Sequence, residues 1–451
     1  MTSPDTPDLP APPELPGRPE LLGAEVRWIE PVAGPLDVTV AVPGSKSITN
    51  RALVCAALAE GTSTLSGALD SEDTQVMIDS LQRLGIPVER QDDGSRLIVS
   101  GCGGKIPASE ADLFVGNSGT TIRFLTAMTT LGHGTYRLNG VPRMHERPIA
   151  DLLSALNQLG ADARSEAGSG CPPVIVRASG LPGGRATIRG DISSQFLSGL
   201  LMTAPLAEQN VELIVEGDLV SQPYVTMTIG VMREFGVHAH YSGLSRFVIA
   251  GRQRYRACEL AIEPDASAAS YFWGLAAVSG GEVTALGLSH RALQGDVAFA
   301  TCLEKMGCRI TYDSRGITVC GAETKLRGID LDMNAISDTA QTLAVVALFA
   351  DGPTTIRGVA HIRHKETDRI ADLARELRKL GAGVEELADG LRITPAPLHG
   401  AAIETYNDHR MAMSFALAGM KIPGVTINDP GCTAKTYPNF FRDLERLSGR
   451  Q

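Results

Sequence analysis

The stretch GSKSITNRALVCAALAEGTSTLSG, residues 44–67, contains the pattern that decides the fold of the chain. A short polar cluster able to cap a helix comes first, and a stretch rich in Ala and Leu follows it. A helix that is apolar nearly all round has to be buried. Gly61 and a β-rich run come next, so the stretch predicts a buried helix that leads into a strand.

The same pattern returns five more times at intervals of about seventy residues, at 117–131, 191–207, 265–278, 335–350 and 407–419. Amphipathic stretches lie between these segments and end in Gly85, Gly160, Gly236, Gly307 and Gly381, as is typical of a helix-to-strand corner. One unit therefore consists of strand, buried helix, strand, amphipathic helix and strand. Six such units predict an α/β architecture with internal pseudo-symmetry, and 451 residues predict two domains of three units each.

Basic residues at the starts of the buried helices indicate an anion site. Symmetric packing would bring the helix N-termini to one end, where unpaired N–H groups and the helix dipole favour phosphates and carboxylates. Lys46, Arg123 and Arg410 lie at these starts, and the motifs PRMHERPI and RHKETDRI add further cations. A cation there opposes the dipole and needs an anionic partner. The alternatives, simple helix caps and a surface salt-bridge network in KETDR, stay open at this point.

Composition excludes several classes of function. The net charge of −10 is a poor match for nucleic acid or anionic lipid, and no apolar run approaches the ~18 residues of a membrane span. Nucleotide-loop and metal-ligand spacings are absent from the sequence. The eight scattered Cys predict free thiols and a cytoplasmic location. The Pro-rich residues 1–24 have no h-region, so we expect a flexible tail rather than a targeting signal.

An ordered series of motifs carries a family resemblance: PGSKSITNRAL, NSGTTIR, GVPRMHERPI, GDISSQFLSGLL, LVSQPY, KETDRI, YNDHRMAM and CTAKTYP. The series, over roughly residues 35–445, resembles the 5-enolpyruvylshikimate-3-phosphate (EPSP) synthase family. The resemblance implies a two-domain inside-out α/β barrel, with three βαβαββ units around buried helices in each domain. It also implies one domain at 45–264, a second built from 25–44 plus 265–451, and an active site in the interdomain cleft.

The resemblance further implies the reaction and its residues. The family transfers the enolpyruvyl group of phosphoenolpyruvate to the 5-hydroxyl of shikimate 3-phosphate and releases phosphate, without metal or organic cofactor. Phosphoenolpyruvate is expected at Lys46, Asn117, Gly119, Arg147, Gln195, Arg369, Arg410 and Lys435. Shikimate 3-phosphate is expected at Ser47, Arg51, Ser193, Ser194, Gln195, Ser221, Tyr224, Asp338, Lys365 and His361. Asp338 is the candidate base, Glu366 and Lys46 are the candidate proton donors, and we expect a monomer.

Two other functions compete with this interpretation. The sister enolpyruvyl transferase that acts on UDP-N-acetylglucosamine usually has Asn after the first Lys and a loop Cys as proton donor. Here Ser47 follows Lys46, and residues 110–135 contain no Cys. A non-catalytic anion-binding relative would bind the ligands without releasing phosphate. Every expected charged position is filled, and the chain departs from many relatives at His361, where they carry Asn.

Overall fold

The computed structural model describes residues 25–447, so the predicted tail at 1–24 lies outside the described residues, as do residues 448–451. The α-helices are α1 (Lys46–Leu58), α2 (Glu72–Arg83), α3 (Gly119–Thr129), α4 (Ala150–Gln158), α5 (Ser194–Thr203), α6 (Gln222–Glu234), α7 (Ala266–Ser279), α8 (Phe299–Lys305), α9 (Ala340–Ala347), α10 (Arg369–Lys379), α11 (His409–Gly419) and α12 (Phe440–Leu447). The strands are β1 (Val26–Ile29), β2 (Asp37–Val40), β3 (Glu60–Ser66), β4 (Val88–Gln91), β5 (Arg96–Cys102), β6 (Glu110–Phe114), β7 (His133–Asn139), β8 (Asp162–Ser165), β9 (Val174–Ser179), β10 (Gly184–Arg189), β11 (Val211–Glu216), β12 (His240–Ser242), β13 (Arg246–Ile249), β14 (Glu259–Ala261), β15 (Glu282–Leu286), β16 (Arg309–Tyr312), β17 (Gly316–Cys320), β18 (Asp330–Asp332), β19 (Thr354–Arg357), β20 (Gly383–Leu387), β21 (Gly390–Thr394), β22 (Ala402–Ile403) and β23 (Val425–Asn428).

Within residues 25–447 the strands form six small sheets. Five have four strands, in the orders β14-β3-β5-β4, β6-β7-β9-β8, β10-β11-β13-β12, β16-β17-β15-β2 and β18-β19-β21-β20, and the sixth is β1-β23-β22. In each four-stranded sheet one parallel pair is joined to an antiparallel hairpin, as β6 with β7 and then β9 with β8. Five units therefore contain one strand more than the residue pattern indicated. The first strand of the hairpin escapes that pattern because it is short and polar, as in β12, where all three residues are exposed.

The six sheets enclose the helices that the sequence predicts to be buried. All residues of α3, α7, α9 and α11 are buried, which confirms the prediction from their apolar composition. The apolar side chains form two separate clusters. We call the first, within residues 48–262, the inserted core, and the second, within residues 29–42 and 266–444, the terminal core. This pseudo-symmetric arrangement confirms the predicted α/β fold class.

The chain passes between the two cores twice. At these crossings the first and the fourth of the six units exchange the strand that precedes their buried helix. β2 precedes the inserted core but pairs with β15 of the terminal core, while β14 follows the repeats of the inserted core and pairs with β3. The crossings run side by side, since Ser45 N–H donates to the Glu263 carbonyl at 2.8 Å. Gly44 is required here because a Cβ would lie 1.8 Å from the Gly67 carbonyl oxygen.

Side-chain caps begin most of the buried helices. Ser45, Ser118, Ser193, Asp265 and Asp408 accept hydrogen bonds from the first-turn N–H groups of α1, α3, α5, α7 and α11. Before α9 the chain instead makes a kinked 3-10 turn, Asn334–Thr339, without a side-chain cap. This leaves the Asp338 side chain available for other partners.

Candidate active site

The starts of five of the buried helices meet around one cavity. It is lined by Lys46, Asp73, Gly119, Thr120, Arg147, Gln195, Asp338, Lys365, Glu366, Arg369, His409 and Arg410. These residues come from both cores. Five Lys or Arg side chains and three carboxylates face the cavity, so it has a surplus of positive charge suited to anions.

Asp338 is held by cations on several sides. Its Oδ2 lies 2.8 Å from Arg410 Nη2, while its Oδ1 lies 3.3 Å from Arg369 Nη1 and 3.8 Å from Lys365 Nζ. Burial by itself raises the pKa of Asp338, but Arg410, Lys365 and Arg369 outweigh it and hold the pKa well below its usual range. The carboxylate is therefore ionised at neutral pH.

Arg369 connects three carboxylates in the interior. Its Nε donates to Asp408 Oδ2 at 2.7 Å, its Nη2 donates to Glu366 Oε2 at 2.7 Å, and its Nη1 contacts Asp338. Burial raises the pKa of Glu366, but the charges of Arg369, Arg147 and Lys435 hold it well below the ordinary value. Glu366 is consequently a carboxylate, and proton donation by it requires that substrate anions offset these cations.

Asp73 links the two cores across the cavity. Its Oδ1 lies 2.6 Å from Lys435 Nζ and its Oδ2 lies 3.2 Å from Lys46 Nζ. Lys435 belongs to the terminal core and also donates to the Asn117 carbonyl of the inserted core at 2.9 Å. Burial raises the pKa of Asp73, but the two lysines reverse the effect and lower it below the ordinary value.

The loop before α3 holds Arg147 in place. Arg147 Nη1 donates to the Asn117 carbonyl at 2.9 Å and to Asn117 Oδ1 at 3.2 Å. A Cβ at Gly119 would lie 2.5 Å from Arg147 Nη2, so only Gly leaves room for this guanidinium. Arg147 Nε is buried and has no partner within residues 25–447. The group is thus directed at the cavity with hydrogen-bonding capacity to spare.

Gln195 is positioned by a second buried guanidinium. Arg123 Nη1 donates to Gln195 Oε1 at 2.5 Å, and Arg123 Nη2 donates to the Pro148 carbonyl at 3.2 Å. Burial, assisted by the charge of Arg147, lowers the pKa of Arg123 to about 9. Gln195 keeps its amide nitrogen for a ligand.

His361 contacts serines from both cores. His361 Nε2 lies 2.9 Å from Ser337 Oγ and 3.2 Å from Ser221 Oγ, and Ser221 is in the inserted part of the chain. Burial and the charge of Lys365 lower the pKa of His361 to about 3, so the ring is neutral at physiological pH. A neutral imidazole can still donate one hydrogen bond.

The remaining predicted residues surround the cavity at different depths. Tyr224 Oη lies within hydrogen-bond distance of Asp296 and Asp338. Ser193 caps α5, Ser194 is buried beside it, and Ser47 lines an adjoining cavity with Lys46 and Arg410. Arg51 is fully engaged inside the inserted core, where it donates to Thr228 Oγ1 at 2.7 Å and to Ser198 Oγ at 3.2 Å. Contact between Arg51 and a substrate stays a prediction.

Three lining residues were absent from the predicted set: Asp73, Thr120 and His409. His409 lies in the quoted motif YNDHRMAM, and its neighbour Arg410 was selected because a cation is the more obvious anion ligand. Both ring nitrogens of His409 are buried and make no hydrogen bond in the described part of the chain, and Nδ1 lies 3.8 Å from Asp408 Oδ1. Asp73 carries no sequence signal, because an acid in the first turn of α2 looks like ordinary dipole compensation.

Within residues 25–447 no group of three or more His, Cys, Asp or Glu residues is arranged to hold a metal ion. Over the same residues, no helix combines the length and the apolar character that crossing a membrane would require.

Comparison with known proteins identifies a family. Residues 32–444 match the sequence model of EPSP synthase (3-phosphoshikimate 1-carboxyvinyltransferase). The 3-phosphoshikimate 1-carboxyvinyltransferase of Nostoc punctiforme is 51% identical over 407 residues, which cover 90% of this chain and 95% of the relative. The chloroplastic 3-phosphoshikimate 1-carboxyvinyltransferase of Arabidopsis thaliana is 50% identical over 426 residues, covering 91% and 82% of the two chains.

Solved structures agree with the sequence comparisons. EPSP synthase from Acinetobacter baumannii superposes with a TM-score of 0.78 at 25% identity, over 94% of this chain and 98% of that one. The enolpyruvyl transferase NikO from Streptomyces tendae has the same fold, with a TM-score of 0.72 at 21% identity over 94% and 97%.

Proposed function

The chain belongs to the EPSP synthase family, and from that membership we propose how its residues perform the family's reaction. The protein is a transferase: it moves the enolpyruvyl group of phosphoenolpyruvate to the 5-hydroxyl of shikimate 3-phosphate and releases phosphate. The observation that carries the assignment of residues is the convergence of cations from both cores on one cavity. Both substrates carry a carboxylate and a phosphate, which are the groups that such a cluster binds.

Phosphoenolpyruvate is assigned to the side of the cavity nearest Arg147. Lys46, Arg147, Arg369, Arg410 and Lys435 hold its carboxylate and phosphate, while Asn117, Gly119 and Gln195 shape the pocket. The unpartnered Nε atoms of Arg147 and Arg410 support this assignment. The same cations stabilise negative charge on the phosphate as it leaves.

Shikimate 3-phosphate is assigned to the side nearest Tyr224 and Lys365. Its binding set is Ser47, Arg51, Ser193, Ser194, Gln195, Ser221, Tyr224, Asp338, Lys365 and His361. The cluster of Ser221, Ser337 and His361 offers hydroxyl and imidazole donors to a phosphate. Lys365 supplies a positive charge that Asp338 only partly neutralises at 3.8 Å.

Asp338 is assigned as the base that accepts the proton of the 5-hydroxyl, and Glu366 or Lys46 as the acid that protonates the methylene carbon of phosphoenolpyruvate. Asp338 is ionised and lines the cavity, as a base must. Lys46 also lines the cavity, 3.2 Å from Asp73. Glu366 becomes an acid only after substrate anions have raised its pKa.

We propose that the domains follow the two cores, with one domain at 45–264 and the other at 25–44 plus 265–451. The active site then lies in the cleft between them and is completed by closure around both ligands. We further propose that the protein is a monomer, that it acts on small anions in the cytoplasm, and that it does not bind nucleic acid. The free thiols of all eight cysteines support a reducing compartment.

The experiment that tests the function is phosphate release from phosphoenolpyruvate with shikimate 3-phosphate, run beside UDP-N-acetylglucosamine. Release with shikimate 3-phosphate alone is expected. Release with the nucleotide sugar alone would favour the sister transferase. Binding of both ligands without release would indicate a non-catalytic relative.

A further inference from the structure

A buried carboxyl group outside the predicted set faces the candidate base through one hydroxyl. Asp296 lies in the short 3-10 turn Gly295–Ala298 that precedes α8, and it is 2% exposed. Its Oδ2 lies 2.8 Å from Tyr224 Oη, within hydrogen-bond distance. Its Oδ1 is buried and has no partner within residues 25–447. An ionised carboxylate with one such oxygen would carry a large desolvation penalty.

Tyr224 belongs to the inserted part of the chain, and its hydroxyl lies between two carboxyl groups of the terminal part, those of Asp296 and Asp338. Its Oη is 2.8 Å from Asp296 Oδ2 and 3.3 Å from Asp338 Oδ2. A phenol has one proton to donate, so it cannot donate to two carboxylates at once. Two ionised carboxylates there would also repel one another across a single hydroxyl.

The two carboxyl groups differ in their neighbours. Asp338 forms ion pairs with Arg410, Arg369 and Lys365, whereas no ion pair within residues 25–447 includes Asp296. The charged or titratable groups that face Asp296 are Tyr224 of α6, Asp338 of the turn before α9, Arg410 of α11 and Asp265 at the start of α7. If the two carboxyl groups share one proton, that proton belongs on Asp296, because the cations paired with Asp338 stabilise its ionised form.

We propose that Asp296 is a positioning residue for the transfer reaction. Its protonated carboxyl group donates to the Tyr224 hydroxyl, and that hydroxyl donates to Asp338. The proposal rests on the proposed function, since it concerns the orientation of the assigned base. With the hydrogen bonds in this direction, Asp338 is the ionised carboxylate of the pair, and its Oδ2 is held by Arg410 and Tyr224. The proton of the substrate's 5-hydroxyl still goes to Asp338.

The titration of Asp296 agrees with the geometry. Burial, and next the negative charge of Asp338, raises the pKa of Asp296 to about 7. Burial and the same two carboxylates raise the pKa of Tyr224 well above its usual value, so the phenol keeps its proton. Above pH 7 Asp296 loses its proton to solvent, Tyr224 donates to the nearer Asp296, and the site gains a negative charge. Binding of the anionic shikimate 3-phosphate then weakens.

The test is the KM for shikimate 3-phosphate, measured between pH 6 and pH 8, in the wild type and in Asp296→Asn. The Asn amide can donate to Tyr224 as the protonated acid does, but it does not ionise. If only the protonated form binds, ionisation of Asp296 raises KM in the wild type about tenfold over this interval. Asp296→Asn lacks this contribution, so the ratio of the wild-type KM to the variant KM rises about tenfold. Titration of Lys365 and of the substrate phosphates affects both proteins equally and cancels in this ratio.

Asp351→Asn, at an exposed position, controls for the loss of one negative charge. A parallel rise of KM in wild type and Asp296→Asn would overturn the proposal, as would a folded Asp296→Asn protein without activity at any pH. If the variant does not fold, infrared difference spectra of the wild type between pH 6 and pH 8 decide. Loss of a buried protonated-carboxyl C=O band across pH 7 is expected, and its absence refutes the proposal. Phosphate release by the wild type tests the proposed function separately.

Discussion

Replacing Asp73 with Asn tests the charge balance of the cavity. If Lys46 and Lys435 bind phosphoenolpyruvate as proposed, Asp73 competes with that anion for their ammonium groups, which lie 3.2 Å and 2.6 Å from its carboxylate oxygens. Asn keeps the volume of the side chain and removes its charge. We expect two effects of opposite sign: the protein without ligand becomes less stable, and it binds phosphoenolpyruvate more tightly.

The magnitudes follow from the contacts. Removing one partner of a buried ion pair typically costs 3–5 kcal/mol, and we expect about 3 kcal/mol here. We use the lower value because Lys435 retains two other contacts in the variant. Its Nζ still donates to the Asn117 carbonyl at 2.9 Å and lies 3.9 Å from Glu366 Oε1. An anion within about 10 Å of the removed charge gains at least ~1.5 kcal/mol at an effective dielectric constant near 20, or about tenfold in Kd.

Calorimetric unfolding with and without phosphoenolpyruvate measures the first effect, and isothermal titration measures the second. Asp79→Asn is the matched control, because Asp79 is an exposed acid on the same helix, α2. Two outcomes would refute the argument that Asp73 competes with the substrate anion. One is an Asp73→Asn protein as stable as the wild type, and the other is a folded variant that binds phosphoenolpyruvate more weakly.

Other predictions concern the same cavity. Lys46→Met should lose turnover by at least about a hundredfold in phosphate release while circular dichroism stays native, and near-normal activity would remove Lys46 from the mechanism. Burial foremost lowers the pKa of Lys365 to about 8, so its positive charge is present below that pH and lost above it. Affinity for shikimate 3-phosphate, measured by titration calorimetry, should fall as pH rises through 8, and Lys365→Arg should shift this fall to higher pH. X-ray scattering should show a smaller radius of gyration with both ligands than with neither, and equal radii would contradict closure.

Much of the fold could be predicted because its main signals are local. Buried helices such as α7 are apolar on every face, and the Gly at the end of each amphipathic helix adopts a positive φ, as at Gly160 and Gly381. The antiparallel hairpin strands were less visible. β12 and β16 are short and mostly exposed, so neither hydrophobic alternation nor a long apolar run marks them.

The site could be predicted only where a residue type reveals its chemistry. Lys46 and Arg147 stand out as cations within the motifs that indicate an anion site, whereas Asp73 and Asp296 are ordinary acids at helix starts. Their contacts in the site are made with partners 362 and 72 positions away in the chain. Such long-range pairs follow from the packing of the two cores and leave no local pattern.

The exchange of β2 and β14 also affects how the chain is made. β2 ends at Val40, yet its partner β15 begins at Glu282, so the ribosome adds roughly 240 residues before the pair can form. At synthesis rates of about 5–20 residues per second, this strand waits on the order of ten seconds or more. During that time the intervening segment can complete its own sheets, including the β3–β14 pair. Translation therefore favours a sequence of events in which residues 45–264 fold first, and β2 pairs with β15 only afterwards, although it is synthesised before that whole segment.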